Sequence, residues 1–360
     1  MRLFFVAITR AKSHLTLTNS VKGFGAKAPP RLEYLDEVEK DGVINSPYIG
    51  TVKTHYDDLP AVRAATDLHS GWLAAYTRLT PELLPILKKR LEKYRLTATD
   101  LTTFIDIVYA GPLEFYKRKV LRAPAEPSDN TLHLGNLLHA TFEAITRDHL
   151  TDAAAAEFYE SALKSLSLLR DDELYLLDKG LHALSVDLPV FGATLRAPGA
   201  RAEVDFSPDH LEVYGVPITG KIDHLHIDDD KKTIDIYDFK TGKHHASKWD
   251  KNATLYKYSL QLEFYKLLVE NSPAYQKYRV NSAHILFVSP DADDQVYDKL
   301  YEYTPASAAA FRDLLTAVYA HIKALDFLDD SPLARLPDDQ LKLKDIQEFI
   351  STIIDLKPEN

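Results

Sequence analysis

Two stretches near the middle of the chain alternate apolar and polar residues, and they constrain the fold more than any other part of the sequence. They read "GKIDHLHI" (220–227) and "TIDIYDFK" (233–240), and the polar run Asp228 to Lys232 separates them. A period of two is typical of half-buried strands, and a short polar run between two such strands is typical of a turn. The sequence therefore predicts an antiparallel β-hairpin.

The register of this hairpin brings two acids together. A regular hairpin centred on the polar run places Asp223 opposite Asp238, on the face that also carries the apolar pairs Ile227–Ile234 and Leu225–Ile236. Opposed Cβ atoms lie roughly 4.5–5.5 Å apart, and two carboxylates that close are costly unless a cation lies between them. Hard oxygen ligands suit Mg²⁺ or Mn²⁺, and Lys240 shares the face. The pattern predicts a metal site beside an ammonium; the alternative is a hydrated hairpin end.

Composition limits the remaining possibilities. The chain has 360 residues, a net charge of −10 and no cysteine, which excludes disulfides, thiolate zinc sites and cysteine-held iron–sulfur clusters. With this negative balance, any nucleic-acid-binding surface must be local. The apolar run at the start is too short for a signal peptide, and no stretch approaches the length of a membrane span. We expect a soluble cytoplasmic protein of two compact units that makes no membrane contact.

The pattern along the chain predicts an α+β fold, a small mixed sheet flanked by many helices. Helical periodicity covers 81–94, 96–122 with a break at Gly111-Pro112, 132–190 with an alanine-rich turn at 153–156, 254–270, 306–326 and 338–355. Strand-like alternation covers 201–207, 211–227, 233–240 and 283–289. We expect the last helix, within 331–360, to be amphipathic and to pack on the body of the protein; docking to a separate motor domain is the alternative.

An acid on one strand followed by acid–x–Lys on the next resembles the PD-(D/E)XK nuclease superfamily. Three further segments resemble its RecB/AddB-like branch. "LGNLLHATFEAI" (134–145) is similar to a Gly–x–x–x–His helix, "QLEFY" (261–265) to a Gln–x–x–x–Tyr helix, and 96–121 to an N-terminal signature. In that signature Gly111-Pro112 stands where relatives have Cys–Pro, so we expect no iron–sulfur cluster. The resemblance spans roughly 96–290 and implies a restriction-endonuclease-like core.

The resemblance also implies residue roles. Asp223, Asp238 and Lys240 would be catalytic, with Lys240 orienting the attacking water or neutralising charge on the phosphate. The metal, Mg²⁺ or Mn²⁺, would be held by His139, Asp223, Asp238 and the carbonyl of Phe239. An imidazole ligand favours Mn²⁺ over Mg²⁺. The alternative for the histidine is a purely structural residue.

Other residues are expected to support this site or to contact DNA. Gln261 and Tyr265 are four apart on one helix face, where Tyr265 as a plain core residue is the alternative. Glu203 lies on the preceding strand and would support the site by hydrogen bonding, or alternatively form a structural ion pair. The segment after Lys240 interleaves cations and aromatics, including Lys243, Lys248 and Trp249, a composition that suits single-stranded DNA. A solvated loop is the alternative there.

The start of the chain, "RLFFVAITRAKSHLTLT" (2–18), resembles the last motif of UvrD/Rep-type superfamily 1 helicases, in which Arg10 would contact the γ-phosphate of ATP. No phosphate-binding G-x-x-x-x-G-K-[ST] motif is present, so we expect neither ATP hydrolysis nor unwinding from this chain alone. The predicted organisation is a helicase remnant with a linker (1–60), a helical connector (61–95), a nuclease domain (96–330) with a helical insert (150–200), and a C-terminal helix (331–360).

The sequence therefore predicts the metal-dependent DNA nuclease part of a helicase–nuclease for repair or recombination, acting on single-stranded tails that upstream motor domains deliver. We expect it near the nucleoid of a prokaryote. One alternative is a nuclease-like module that binds DNA without cutting it. Another is a scaffold for a partner subunit, as in RecBCD- or AddAB-like assemblies.

Overall fold

The computed structural model describes residues 82–108, 110–122, 130–242, 247–289, 294–327 and 342–356. All of them belong to one compact unit, Ala74–Asn360. The helicase-like segment with Arg10, the remainder of 1–60 and Lys243 lie outside the described residues.

The helices follow the predicted blocks closely. The described residues form α1 Leu83–Leu91, α2 Ala98–Ile105, α3 Pro112–Phe115, α4 Asn130–Asp148, α5 Asp152–Ser165, α6 Arg170–Leu195, α7 Ala253–Asn271, α8 Pro305–Ala324 and α9 Leu343–Asp355. A π-helical turn, Tyr116–Leu121, continues α3. The break before α3 is set by Gly111, which has φ 86°, and by Pro112 at the first helical position.

The predicted turn at 153–156 is wrong, because these alanines lie in the first turns of α5. Alanine has the highest helix propensity, so a run of alanines extends a helix. The hydroxyl of Thr151 accepts a hydrogen bond from the backbone N–H of Ala154 at 3.3 Å and caps the start. The loop between α4 and α5 therefore covers 149–151, before the alanines.

The sheet has five strands, which are β1 Ala200–Asp205, β4 Lys221–Asp228, β5 Thr233–Lys240, β6 Arg279–Phe287 and β7 Tyr297–Tyr301. They lie side by side in the order β1-β4-β5-β6-β7. A separate short pair consists of β2 Glu212–Val213 and β3 Val216–Pro217. The pair β5–β6 is parallel and the other ladders are antiparallel, so the sheet is mixed. The predicted α+β class is confirmed, although β7 was not predicted.

The hairpin β4–β5 has the predicted register. Ile227 pairs with Ile234 and Leu225 with Ile236, and the ladder ends at the pair His224–Tyr237. The next position of this register is Asp223 with Asp238. The hairpin therefore carries both acids at the end that lies away from its turn.

Helices cover both faces of the sheet. One core joins the apolar side chains of β5 and β6, including Ile236 and Ile285, to α1, α2, α7, α8 and α9. A second core joins Phe239 and Leu286 to α4, α5 and α6, so the segment 150–200 completes this layer. In α9 the buried residues are Ile346, Phe349, Ile350 and Ile353, as its amphipathic pattern predicts. No helix among the described residues combines the length and the apolar character that crossing a bilayer requires.

Candidate active site

The acidic end of the hairpin meets the middle of α4. The side chain of His139 lies with Nδ1 3.6 Å from Oδ2 of Asp223 and Nε2 3.1 Å from the carbonyl oxygen of Phe239. The backbone N–H of Phe239 donates to the same Oδ2 of Asp223 at 2.9 Å. One helix and two strands therefore fix the positions of the histidine and the aspartate.

A third potential ligand joins them from β1. His139, Glu203 and Asp223 each offer one ligand atom, and these atoms lie within 4.8 Å of one another. Glu203 has φ 47°, a left-handed conformation that is uncommon for a residue with a side chain and that clusters at functional sites. We call these three residues the ligand cluster. The sequence predicted only a supporting role for Glu203. The feature that could have indicated a ligand is that Glu203 is an acid on the predicted strand that precedes the strand of Asp223.

Asp238 is engaged differently. Its side chain is 1 % exposed, and Oδ1 accepts hydrogen bonds from Gln261 Nε2 at 2.9 Å and from the Tyr265 hydroxyl at 3.1 Å. Its Oδ2 lies 2.5 Å from the ammonium nitrogen of Lys240. The structure therefore places Asp238 next to the ligand cluster but not in it, and its role as a metal ligand stays a prediction.

The expected supporting helix is α7. Gln261 and Tyr265 lie on one face of it, with Gln261 Nε2 2.5 Å from the Tyr265 hydroxyl oxygen. Tyr265 is at once a core residue and a hydrogen-bond donor to Asp238, so the two interpretations of this tyrosine are compatible. Together the pair holds the carboxylate of Asp238 toward Lys240.

Burial and charge act against each other in this site. Burial lowers the pKa of His139, but the hydrogen bond and the charge of Asp223 outweigh it, and the net shift is upward. Burial raises the pKa of Asp223, and the interactions with His139 and Lys240 reverse this, so that its net shift is downward. Burial raises the pKa of Asp238 to about 6; the Lys240 ammonium opposes this shift and the charge of Asp223 reinforces it.

The ligand cluster fits a hard divalent cation. Burial first and the charge of Asp223 second raise the pKa of Glu203, so that ionising this carboxyl beside Asp223 has a cost. A cation removes that cost, and two carboxylates with one imidazole nitrogen are a donor set that Mg²⁺ and Mn²⁺ accept. The cation itself is inferred from this chemistry.

A cleft of about 660 Å³ opens beside the ligand cluster. The α4 residues that line it are Thr131, Leu132, Gly135, Asn136, His139, Ala140 and Glu143, and the other lining residues are Glu203, Phe239, Lys240, Thr241, Gly242 and Tyr258. The cleft therefore gives an external molecule access to His139, Glu203 and Lys240 at once.

The predicted DNA-contacting residues Lys248 and Trp249 do not line this cleft. The indole N–H of Trp249 donates to the carbonyl of Leu300 at 3.2 Å, and the ring packs edge-on against Tyr301 with centroids 5.2 Å apart. Trp249 thus packs against the edge strand β7, and its indole N–H is already used in a hydrogen bond within the protein. Contact of Lys248 and Trp249 with DNA stays a prediction.

Comparison with known protein families agrees with the motif pattern. The family model of the PD-(D/E)XK nuclease superfamily matches residues 95–337. A solved structure of a proposed exonuclease from Eubacterium rectale is similar at 14% identity and a TM-score of 0.46, over 75% of this chain and 98% of that one. A search of the curated proteins finds no match. With the family model covering most of its length, the chain belongs to the PD-(D/E)XK nuclease superfamily.

Proposed function

We propose that this protein is a metal-dependent nuclease that hydrolyses phosphodiester bonds in DNA. The observation that carries the proposal is the convergence of His139, Glu203 and Asp223 within 4.8 Å, beside a cleft that His139, Glu203 and Lys240 line. A cation-binding site next to the Lys240 ammonium, which Asp238 fixes in place, suits an anionic substrate. Such positive charges stabilise a substrate whose negative charge increases during the reaction. Membership of the superfamily supports the same reaction class.

The ligand cluster would hold Mg²⁺ or Mn²⁺, with Asp238 and the carbonyl of Phe239 as the further ligands that the resemblance implies. When bound, such an ion lowers the pKa of water and polarises a phosphate. The protein supplies the remaining elements: a fixed histidine and aspartate, a cleft for the strand, and a cation on Lys240.

Lys240 acts as a fixed positive charge. Burial alone lowers the pKa of its ammonium, but the charges of Asp238 and Asp223 raise it more, so the group stays protonated at neutral pH. Its role is to neutralise the charge that develops on the phosphate oxygens.

A cleavage assay tests this proposal. The wild-type protein is expected to cut single-stranded DNA with Mg²⁺ or Mn²⁺ and to lose this activity in EDTA. Lys240→Ala should lower kcat at least about 100-fold, because removal of one charge-stabilising donor costs about that much. The matched control is Lys231→Ala, at the exposed turn of the same hairpin. Tight DNA binding without cleavage under either metal would instead support a binding module.

The wider context rests on the sequence patterns. We propose that the chain acts on single-stranded tails within a helicase–nuclease for DNA repair, with 1–60 as the motor remnant, 61–95 as a connector, 96–330 as the nuclease domain and 331–360 as its closing helix. Arg10 would then complete an ATP site in the motor. Pull-down of this chain from cell extract tests for motor and partner subunits, and recovery of the chain alone would count against the assembly.

A further inference from the structure

The cleft contains a group of uncharged hydrogen-bond donors that the proposed chemistry does not use. They are the amide of Asn136, the hydroxyl of Thr241 and the hydroxyl of Tyr258, which we call the donor group. Within the part of the chain that the structure describes, none of these three polar groups has a hydrogen-bond partner. Free donors facing a cleft are available to a ligand.

Thr241 and Tyr258 adjoin Lys240, and Asn136 follows in α4 the glycine that Thr241 faces. The hydroxyl oxygen of Thr241 lies 3.3 Å from the position of a Cβ atom on Gly135, the neighbour of Asn136 in α4. The hydroxyl of Tyr258 lies 3.7 Å from the corresponding position on Gly242, the neighbour of Thr241. The absence of a side chain at these two glycines leaves the donors accessible. The ring of Tyr258 has its centroid 5.0 Å from the Lys240 ammonium nitrogen, so the donors adjoin the proposed site of phosphate chemistry.

The donor group lies to one side of the ligand cluster, toward the N-terminus of α4. Asn136 precedes His139 by three residues on α4, or about 4.5 Å along the helix axis. In the other direction along α4 the cleft is lined by Glu143, whose carboxylate is paired with the guanidinium of Arg147 at 3.1 Å. A strand whose reacting phosphate lies at the ligand cluster therefore meets the donor group on the side toward the start of α4.

We propose that the donor group binds the phosphate next to the one that is cut, and so selects a polynucleotide strand over a small phosphodiester. This inference rests on the proposed nuclease function and adds a substrate subsite to it. Asn, Thr and Tyr side chains bind phosphate oxygens and position a strand without reading its sequence. Burial raises the pKa of Tyr258, so its hydroxyl keeps its proton and donates.

Two substitutions test the subsite with little change in shape. Tyr258→Phe and Thr241→Val each remove one hydroxyl and keep the side-chain volume. Each is expected to raise KM for a single-stranded oligonucleotide about tenfold and to leave kcat unchanged, because a hydrogen bond to a charged group is lost in substrate binding. The matched control is Tyr256→Phe, which removes the same group from the same helix outside the cleft.

A chemical change in the substrate identifies the group that is bound. After the cut position is mapped, one neighbouring phosphate is replaced by a neutral methylphosphonate, on each side in turn. On one side the wild-type KM should rise at least about tenfold, and the rise should be smaller in Tyr258→Phe and Thr241→Val, which already lack one of the three donors. Additive losses on both sides, unchanged KM in the variants, or an equal effect of Tyr256→Phe would overturn the subsite.

Separate measurements test the nuclease function and the subsite: cleavage tests the first, and oligonucleotide binding tests the second. Absence of cleavage by the wild-type protein would reject the nuclease function alone. The subsite would still be decided by fluorescence anisotropy of the labelled oligonucleotide in a Lys240→Ala background with Mg²⁺. There, adding Tyr258→Phe should weaken the Kd about tenfold, and an unchanged Kd would contradict the subsite.

Discussion

At the scale of single residues, the position of the Asp187 carboxyl conflicts with its charge. Asp187 of α6 is fully buried, and neither carboxylate oxygen has a hydrogen-bond partner among the described residues. Burial raises its pKa from 3.8 to about 8. The folded protein therefore holds this proton far more tightly than the unfolded chain does. A group with a raised folded pKa stabilises the fold at low pH, and this stabilisation declines between pH 3.8 and about 8.

We expect Asp187→Asn to remove this pH dependence. Between about pH 5 and about pH 8 the wild type should lose stability, because its unfolded chain ionises at Asp187 and its folded state resists doing so. Asparagine does not titrate, so the free energy of unfolding of the variant minus that of the wild type should rise over this range by at least about 1 kcal/mol. Urea unfolding at both pH values measures the difference. Parallel pH profiles of the two proteins would show that Asp187 has a partner in solution.

At the scale of elements, a buried histidine joins the last two helices. His321 of α8 lies with Nδ1 2.8 Å from a carboxylate oxygen of Asp326, and its Nε2 lies 2.9 Å from the carbonyl oxygen of Ile353 in α9. Because both partners are acceptors, the geometry suits an imidazolium that donates twice. Burial lowers the pKa of His321, but these hydrogen bonds outweigh it and the net shift is upward.

Docking of α9 should therefore weaken at alkaline pH. A raised folded pKa means that the stabilisation is complete below 6.5, the ordinary pKa of histidine, and is lost as pH rises through the folded value. We expect hydrogen-exchange protection factors of α9 amides to be lower at about pH 9 than at about pH 6. His321→Gln, which does not titrate, should show no such difference, and an equal decrease in both proteins would contradict this role.

At the scale of the whole molecule, the ligand cluster links α4, in one helical layer, to the neighbouring strands β1 and β4 of the sheet. A cation bound there stabilises the folded state by mass action, by about 2.7 kcal/mol at a concentration of 100 times Kd. For a unit of this size that corresponds to a rise in Tm of about 4 to 5 °C.

Thermal unfolding with Mn²⁺ tests this linkage without any nuclease assay. The rise in Tm should be much smaller in Glu203→Gln, because this change removes a ligand charge from the cluster. Glu212→Gln, at an exposed position of β2, is the matched control and should retain the full rise. An identical Tm shift in Glu203→Gln and wild type would exclude Glu203 as a ligand.

The sequence by itself determined the features that depend on local periodicity. Alternation in 220–240 sets the hairpin register, because a slip of one residue would turn Ile234 and Ile236 out of the core. Helical spacing likewise placed Gln261 and Tyr265 on one face of α7. These relations lie within one element or between adjacent strands, where the backbone geometry fixes the answer.

Only the tertiary structure decided which distant side chains meet. Glu203 enters the ligand cluster because β1 lies beside β4, and Asp238 turns to Lys240 because α7 brings Gln261 and Tyr265 to its other oxygen. The packing of Trp249 against β7 likewise depends on an edge strand that the pattern did not reveal. Such contacts depend on how layers cross, and crossing geometry is set by the packing of whole surfaces and not by spacing along the chain.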